Sequence, residues 1–215
     1  MNQISFTQND DWANLNRYKE ENLNLGLPVD NENRIVFMGN SITEGWLQLD
    51  PDFFENKPYI NRGISGQTTP QMLVRFRQDV VNLKPEVVVI LAGTNDIAGN
   101  TGPSTLEMIE DNIASMTEIA KVNNIRVILC SVLPVFDYPW KQGLNPADKI
   151  VELNKWINEY SIKNEIVYVD YFSAMADENN GLKSEYSEDG VHPNLSGYKI
   201  MAPIVEHAIQ KVIGD

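Results

Sequence analysis

Five short apolar runs, rich in β-branched residues, recur along the chain at residues 34–39, 59–62, 86–92, 126–131 and 166–170. The run Val87-Val88-Val89-Ile90-Leu91 does not alternate with polar residues, as expected of a parallel strand covered on both faces. Between these runs the apolar period changes. Three-to-four-residue spacing predicts helices over 67–82, 104–123, 146–163 and 195–213. In the second of these, Leu106, Ile109, Ile113, Met116, Ile119 and Ala120 form one stripe. Residues 10–25 also read as a helix, ended near Gly26 and Pro28, within an N-terminal extension over 1–30. Strands alternating with helices imply right-handed crossovers and a parallel sheet with helices on both faces. The expected fold is α/β: a flavodoxin-like, three-layer α/β/α sandwich around a five-stranded parallel sheet. No linker-like segment breaks the pattern, so residues 1–215 read as one domain.

In an open parallel sheet, ligands bind outside the carboxyl ends of the strands. The residues that follow each run therefore carry the chemistry. After the first run come Gly39-Asn40-Ser41-Ile42-Thr43-Glu44, and after the second Gly63-Ile64-Ser65-Gly66. Gly93-Thr94-Asn95-Asp96 follows the third, and Asp189-Gly190-Val191-His192-Pro193 lies beyond the fifth. Singly, each has a plain structural use. Ser41-x-x-Glu44 fits a capping box, although Asn40 could take over that cap and free the Ser41 hydroxyl. Gly63 could serve only a turn, and Asn95 only an Asx-turn. His192 is harder to dismiss, because the other histidine, His207, falls within the last helical pattern. Together these residues supply what acyl transfer needs: a hydroxyl, a base, a carboxylate and donors for an oxyanion.

Composition narrows the partners. A net charge of −13 with no Lys/Arg cluster argues against nucleic acid and anionic membrane surfaces, and favours a neutral small-molecule ester. No Gly-x-Gly-x-x-Gly or Gly-Lys-Ser/Thr is present to cradle phosphates, and two distant histidines with one cysteine offer no metal-ligand spacing. No cofactor and no metal are therefore expected. Cys130 lies in the apolar run Val127-Ile128-Leu129-Cys130, which suits a core position. The first residues show neither a basic nor an apolar leader region, and no apolar run approaches the ~20 residues that span a bilayer. As written the chain reads as cytoplasmic; a removed signal peptide would make it periplasmic or secreted. An assembly of identical chains stays open.

The blocks also carry a resemblance. Arg34-Ile-Val-Phe-Met-Gly-Asn-Ser-Ile-Thr resembles the first block of the SGNH (GDSL-like) hydrolases. Asn61-Arg-Gly-Ile-Ser-Gly resembles the second, Gly93-Thr-Asn-Asp the third and Asp189-Gly-Val-His-Pro the last, all in the family's order. The second block is similar to the branch of platelet-activating-factor acetylhydrolases and bacterial carbohydrate esterases. Gly39-Asn40-Ser41 departs from the Gly-Asp-Ser of the family's name, which changes local charge but touches no member of the triad.

The resemblance implies a serine esterase with Ser41 as nucleophile, His192 as base and Asp189 orienting the imidazole. It leaves Glu188 and Asp170 as alternatives for that last role. The implied oxyanion donors are the Ser41 and Gly63 N–H groups and the Asn95 amide. Asn40, Trp46, Tyr138 and Trp140 are candidates for the substrate-binding wall. The expected substrate is a short-chain ester, acetyl above all, of a carbohydrate or small alcohol. Acyltransferase or thioesterase chemistry on the same residues, and a non-catalytic flavodoxin-like binding module, are the competing readings.

Overall fold

A computed structural model describes residues 11–214. Five strands, β1 (Ile35–Gly39), β2 (Tyr59–Gly63), β3 (Val87–Leu91), β4 (Arg126–Cys130) and β5 (Val167–Val169), form one parallel sheet in the order β2-β1-β3-β4-β5. This is the flavodoxin-like strand order expected from the alternating pattern. The helices are α1 (Lys19–Leu25), α2 (Ser41–Leu49), α3 (Thr69–Asp79), α4 (Thr94–Ile97), α5 (Leu106–Val122), α6 (Ala147–Lys163), α7 (Tyr171–Met175) and α8 (Leu195–Gly214). Single 3₁₀ turns at Pro51–Phe53 and Val81–Leu83 trail α2 and α3.

The central strands are buried along their whole length, which is why their sequences do not alternate. Their side chains nevertheless divide between two cores. Val36, Met38, Val88 and Ile90 pack against α3, α5 and α6 through Met72, Phe76, Ile113, Met116 and Leu153. Ile35, Phe37, Val87 and Val89 face α2, α7 and α8 through Ile42, Trp46, Met175, Met201 and Val205. Cys130 belongs to this second core, where burial pushes its thiol up to about 12.

Right-handed crossovers explain the division. From β1 the chain steps outward to β2 through α2, then returns past β1 to β3 through α3, so the two helices occupy opposite faces. The change of direction opens a crevice at the carboxyl ends of β1 and β3.

The N-terminal stretch departs from expectation. Asp10 lies outside the described residues, and the helix covers only Lys19–Leu25 rather than 10–25. Asp11 accepts the Leu15 N–H at 2.6 Å and the Asn16 N–H at 2.8 Å, and Asn14 adopts φ 54°. Side-chain acceptors and a left-handed residue thus close turns where the apolar spacing suggested a helix. No described helix is long and apolar enough to cross a membrane.

Candidate active site

Ser41 is the first residue of α2, directly after β1. Asn40 caps this helix. Its Oδ1 accepts the Ile42 N–H at 3.0 Å, and the residue is buried. The Ser41 hydroxyl is thereby released from capping and lies 2.9 Å from His192 Nε2. The other ring nitrogen, Nδ1, is 2.7 Å from Asp189 Oδ2.

A compact loop aligns this acid–base pair. Asp189 Oδ1 accepts the backbone N–H groups of Val191 (2.9 Å) and His192 (2.8 Å), folding the carboxylate back onto the ring three residues away. The Ser187 hydroxyl donates to the His192 carbonyl at 2.8 Å and pins the far end. Partial burial opposes ionisation of Asp189, but the His192 backbone and ring donors and the Val191 N–H prevail, bringing its carboxyl down to about 2. Asp170 is committed elsewhere, accepting the Ser173 N–H (2.9 Å) and hydroxyl (2.6 Å) at the start of α7, and Glu188 is exposed to solvent.

Asn95 sits in the first turn of α4, buried at 3% exposure, and donates one amide hydrogen to the Gln67 carbonyl at 2.9 Å. With Ser41, Ser65, Gly66, Asn100, Trp140 and His192 it lines an open cavity of about 320 Å³. A second depression, about 580 Å³, is also lined by His192, with Leu49, Asn194 and Leu195. The cavity of about 440 Å³ at the opposite edge of the sheet, beside Arg126 and Val167, brings no such nucleophile–base pair together.

Four expected site residues lie elsewhere than the sequence suggested. Gly63 closes β2, pairing with Gly39 of β1, and its N–H is consumed by Asn61 Oδ1 at 2.9 Å. It is glycine because β2 runs against the first turn of α2: a Cβ there would meet Glu44 N at 2.2 Å. Gly66, three residues on, lines the cavity at φ 77°, and its N–H has no acceptor among the described residues. Its position after the strand's last paired residue is the signal that could have distinguished the two glycines.

Trp46 is 2% exposed and stacks between Phe53 (4.4 Å) and Tyr198 (5.3 Å), so it belongs to the core beneath α2. Asn40 is the helix cap and does not line the cavity. Tyr138 is fully buried; its hydroxyl donates to the Thr94 carbonyl and accepts from the Thr94 hydroxyl, both at 2.9 Å, bracing the turn that carries Asn95. Of the aromatic candidates, Trp140 alone lines the cavity, 48% exposed, its ring centroid 6.1 Å from that of His192.

Comparison with known proteins places the chain in a family. The structure superposes on a GDSL-like lipase from Bacteroides thetaiotaomicron with a TM-score of 0.91 at 51% identity, covering 93% of this chain and 98% of that one. An acetylxylan esterase from Xylanibacter ruminicola is 26% identical over 220 residues, 85% of this chain and 44% of its own length. This chain thus spans less than half of that esterase. Esterase TesA from Pseudomonas aeruginosa is 25% identical over 165 residues, 74% of this chain and 75% of its own. Residues 37–200 match the GDSL-like Lipase/Acylhydrolase family, and the chain therefore belongs to that family.

Proposed function

We propose that this protein is a serine ester hydrolase that removes short acyl groups, acetyl foremost, from a carbohydrate or small alcohol. The observation that carries the reading is the relay Ser41–His192–Asp189, at 2.9 and 2.7 Å, opening onto a polar cavity at the carboxyl edge of the sheet.

Ser41 Oγ attacks the ester carbonyl while His192 Nε2 takes its proton. Asp189 holds Nδ1–H and stabilises the imidazolium. The oxyanion receives the N–H groups of Ser41 and Gly66 and the second amide hydrogen of Asn95. Collapse of the tetrahedral intermediate breaks the carbon–oxygen bond, and His192 returns the proton to the departing alcohol. Water then attacks the acyl-enzyme by the same steps and releases the acid.

Two features favour a short acyl group on a sugar. The cavity beside Ser41 is walled by Ser65, Asn95 and Asn100 rather than by an apolar tunnel. Trp140 offers an exposed ring face beside the base, suited to stacking on a sugar. The acetylxylan esterase relative points the same way.

A fluorophosphonate probe, read by intact mass and peptide mapping, tests the nucleophile without knowledge of the substrate. One adduct on Ser41 is expected, absent in Ser41→Ala and lost in His192→Ala. A folded wild-type protein that takes no label would defeat the proposal. Acetylated xylo-oligosaccharides against long-chain p-nitrophenyl esters then test the acyl preference, with the acetyl substrates turned over faster.

A further inference from the structure

The segment before β1 carries no motif and precedes the family match, which begins at residue 37. It is nonetheless bonded to the turn that presents Gly66. The Tyr18 ring lies between two guanidinium groups, with Arg17 Cζ 4.6 Å and Arg62 Cζ 4.5 Å from its centroid. Glu21 lies 3.6 Å from a nitrogen of each arginine and offsets their mutual repulsion. The buried Tyr18 hydroxyl donates to the Gly63 carbonyl. Four residues on, Gln67 Nε2 donates to the Ala13 carbonyl at 2.8 Å. Both ends of the 63–67 turn are thus tied to residues 13–18.

A third tie holds the middle. Ser65 N–H donates to Glu44 Oε2 at 2.8 Å, and Arg17 reaches Glu44 Oε1 at 3.4 Å. The Gln67 carbonyl in turn accepts the Asn95 amide, and Gln67 Oε1 accepts from the fully buried Arg75 at 2.5 Å. One strap therefore brackets the turn that carries the Gly66 N–H, and reaches Asn95 through Gln67.

We infer that Tyr18 is a positioning residue: residues 13–18 strap the 63–67 turn so that Gly66 and Asn95 meet the oxyanion together. The inference rests on the hydrolytic reading of the Ser41 site. Its energetic logic is that of preorganised donors, for which misplacement by about 1 Å costs roughly 100-fold in rate.

The test uses the full chain as wild type, Ser41→Ala, Tyr18→Phe and Gln78→Ala, with p-nitrophenyl acetate as substrate. Gln78 ties the same strap through the Leu15 carbonyl, away from the turn, and serves as the control for loosening alone. Tyr18→Phe keeps the stacked ring and loses the bond to Gly63. We expect its kcat to fall about tenfold with KM within about twofold, while Gln78→Ala keeps kcat within about twofold. Hydrogen exchange over residues 61–68 should rise in Tyr18→Phe and not in Gln78→Ala. Unchanged kcat in Tyr18→Phe, or an equal loss in Gln78→Ala, overturns the inference. Wild-type turnover that survives Ser41→Ala would instead defeat the hydrolytic reading. Exchange over 61–68 would then still decide whether Tyr18 holds the turn, unchanged exchange refuting it.

Discussion

At Asn95 a single side chain serves two ends. One amide hydrogen ties the α4 turn to Gln67, and the other faces the cavity beside Ser41 in the proposed mechanism. Asn95→Ala removes both. Loss of one oxyanion donor typically costs about 2.7–4 kcal/mol at the transition state, a factor of 10²–10³ in kcat. Loss of one neutral hydrogen bond costs only about 1 kcal/mol of stability. Asn95→Ala should therefore stay folded, its thermal midpoint lowered by a few degrees, with kcat down by at least about 100-fold. Near-normal kcat would remove Asn95 from the oxyanion site.

Among the elements, the junction of β2 with α2 decides how closely the helix that begins at Ser41 approaches the sheet. A methyl at Gly63 would strike the backbone of Thr43 and Glu44, which cannot give way as a flexible side chain can. Gly63→Ala should destabilise by more than the ~1–3 kcal/mol usual for overpacking and displace Ser41 with its helix. At Gly66 a Cβ meets nothing within 4 Å, and only the φ of 77° opposes it. Gly66→Ala should cost about 1 kcal/mol, so thermal unfolding separates the two variants clearly.

The contrast also marks what the sequence made legible. Apolar period located all five strands to within a residue or two and the long helices to within three, because the central strands are buried on both faces and each long helix buries one stripe. Ser41 stood out because it comes directly after β1, and Asp189 and His192 because they lie in the long stretch beyond β5, where the chain carries its only histidine outside the last helix. Gly63 and Gly66 could not be separated by composition: both are glycines in one block, and only the register of β2 against β1 shows where pairing ends. Trp46 and Tyr138 misled for a related reason, since an aromatic ring suits a sugar and a core equally well. Tyr18 had no signal at all, because its partners lie some 45 residues away in the chain.

Across the whole molecule, one buried acid couples stability to pH. Asp96 takes the Thr69 N–H on both oxygens at 3.0 Å and the Thr69 hydroxyl at 2.6 Å, joining α4 to the start of α3. Burial pushes its carboxyl up to about 6, and the Thr69 donors only partly oppose this. A folded pKa above the unfolded one favours the protonated form, so the contribution is complete below about pH 4 and is lost as pH rises through about 6. The span corresponds to roughly 3 kcal/mol at most. Asp96→Asn cannot ionise there, so urea unfolding should show the variant gaining on wild type steadily from pH 4 to pH 7. A constant difference across that range would show that Asp96 does not titrate as described.

His192 and Asp189 sit three residues apart, whereas Ser41 lies 151 residues earlier. Joining them falls to α8, whose Tyr198 hydroxyl donates to the Ile42 carbonyl of α2 at 2.8 Å. During synthesis the serine, both glycines and Asn95 leave the ribosome long before His192 does. A growing chain thus carries the Ser41 hydroxyl without its imidazole partner, and under the proposed function esterolysis waits until α8 docks.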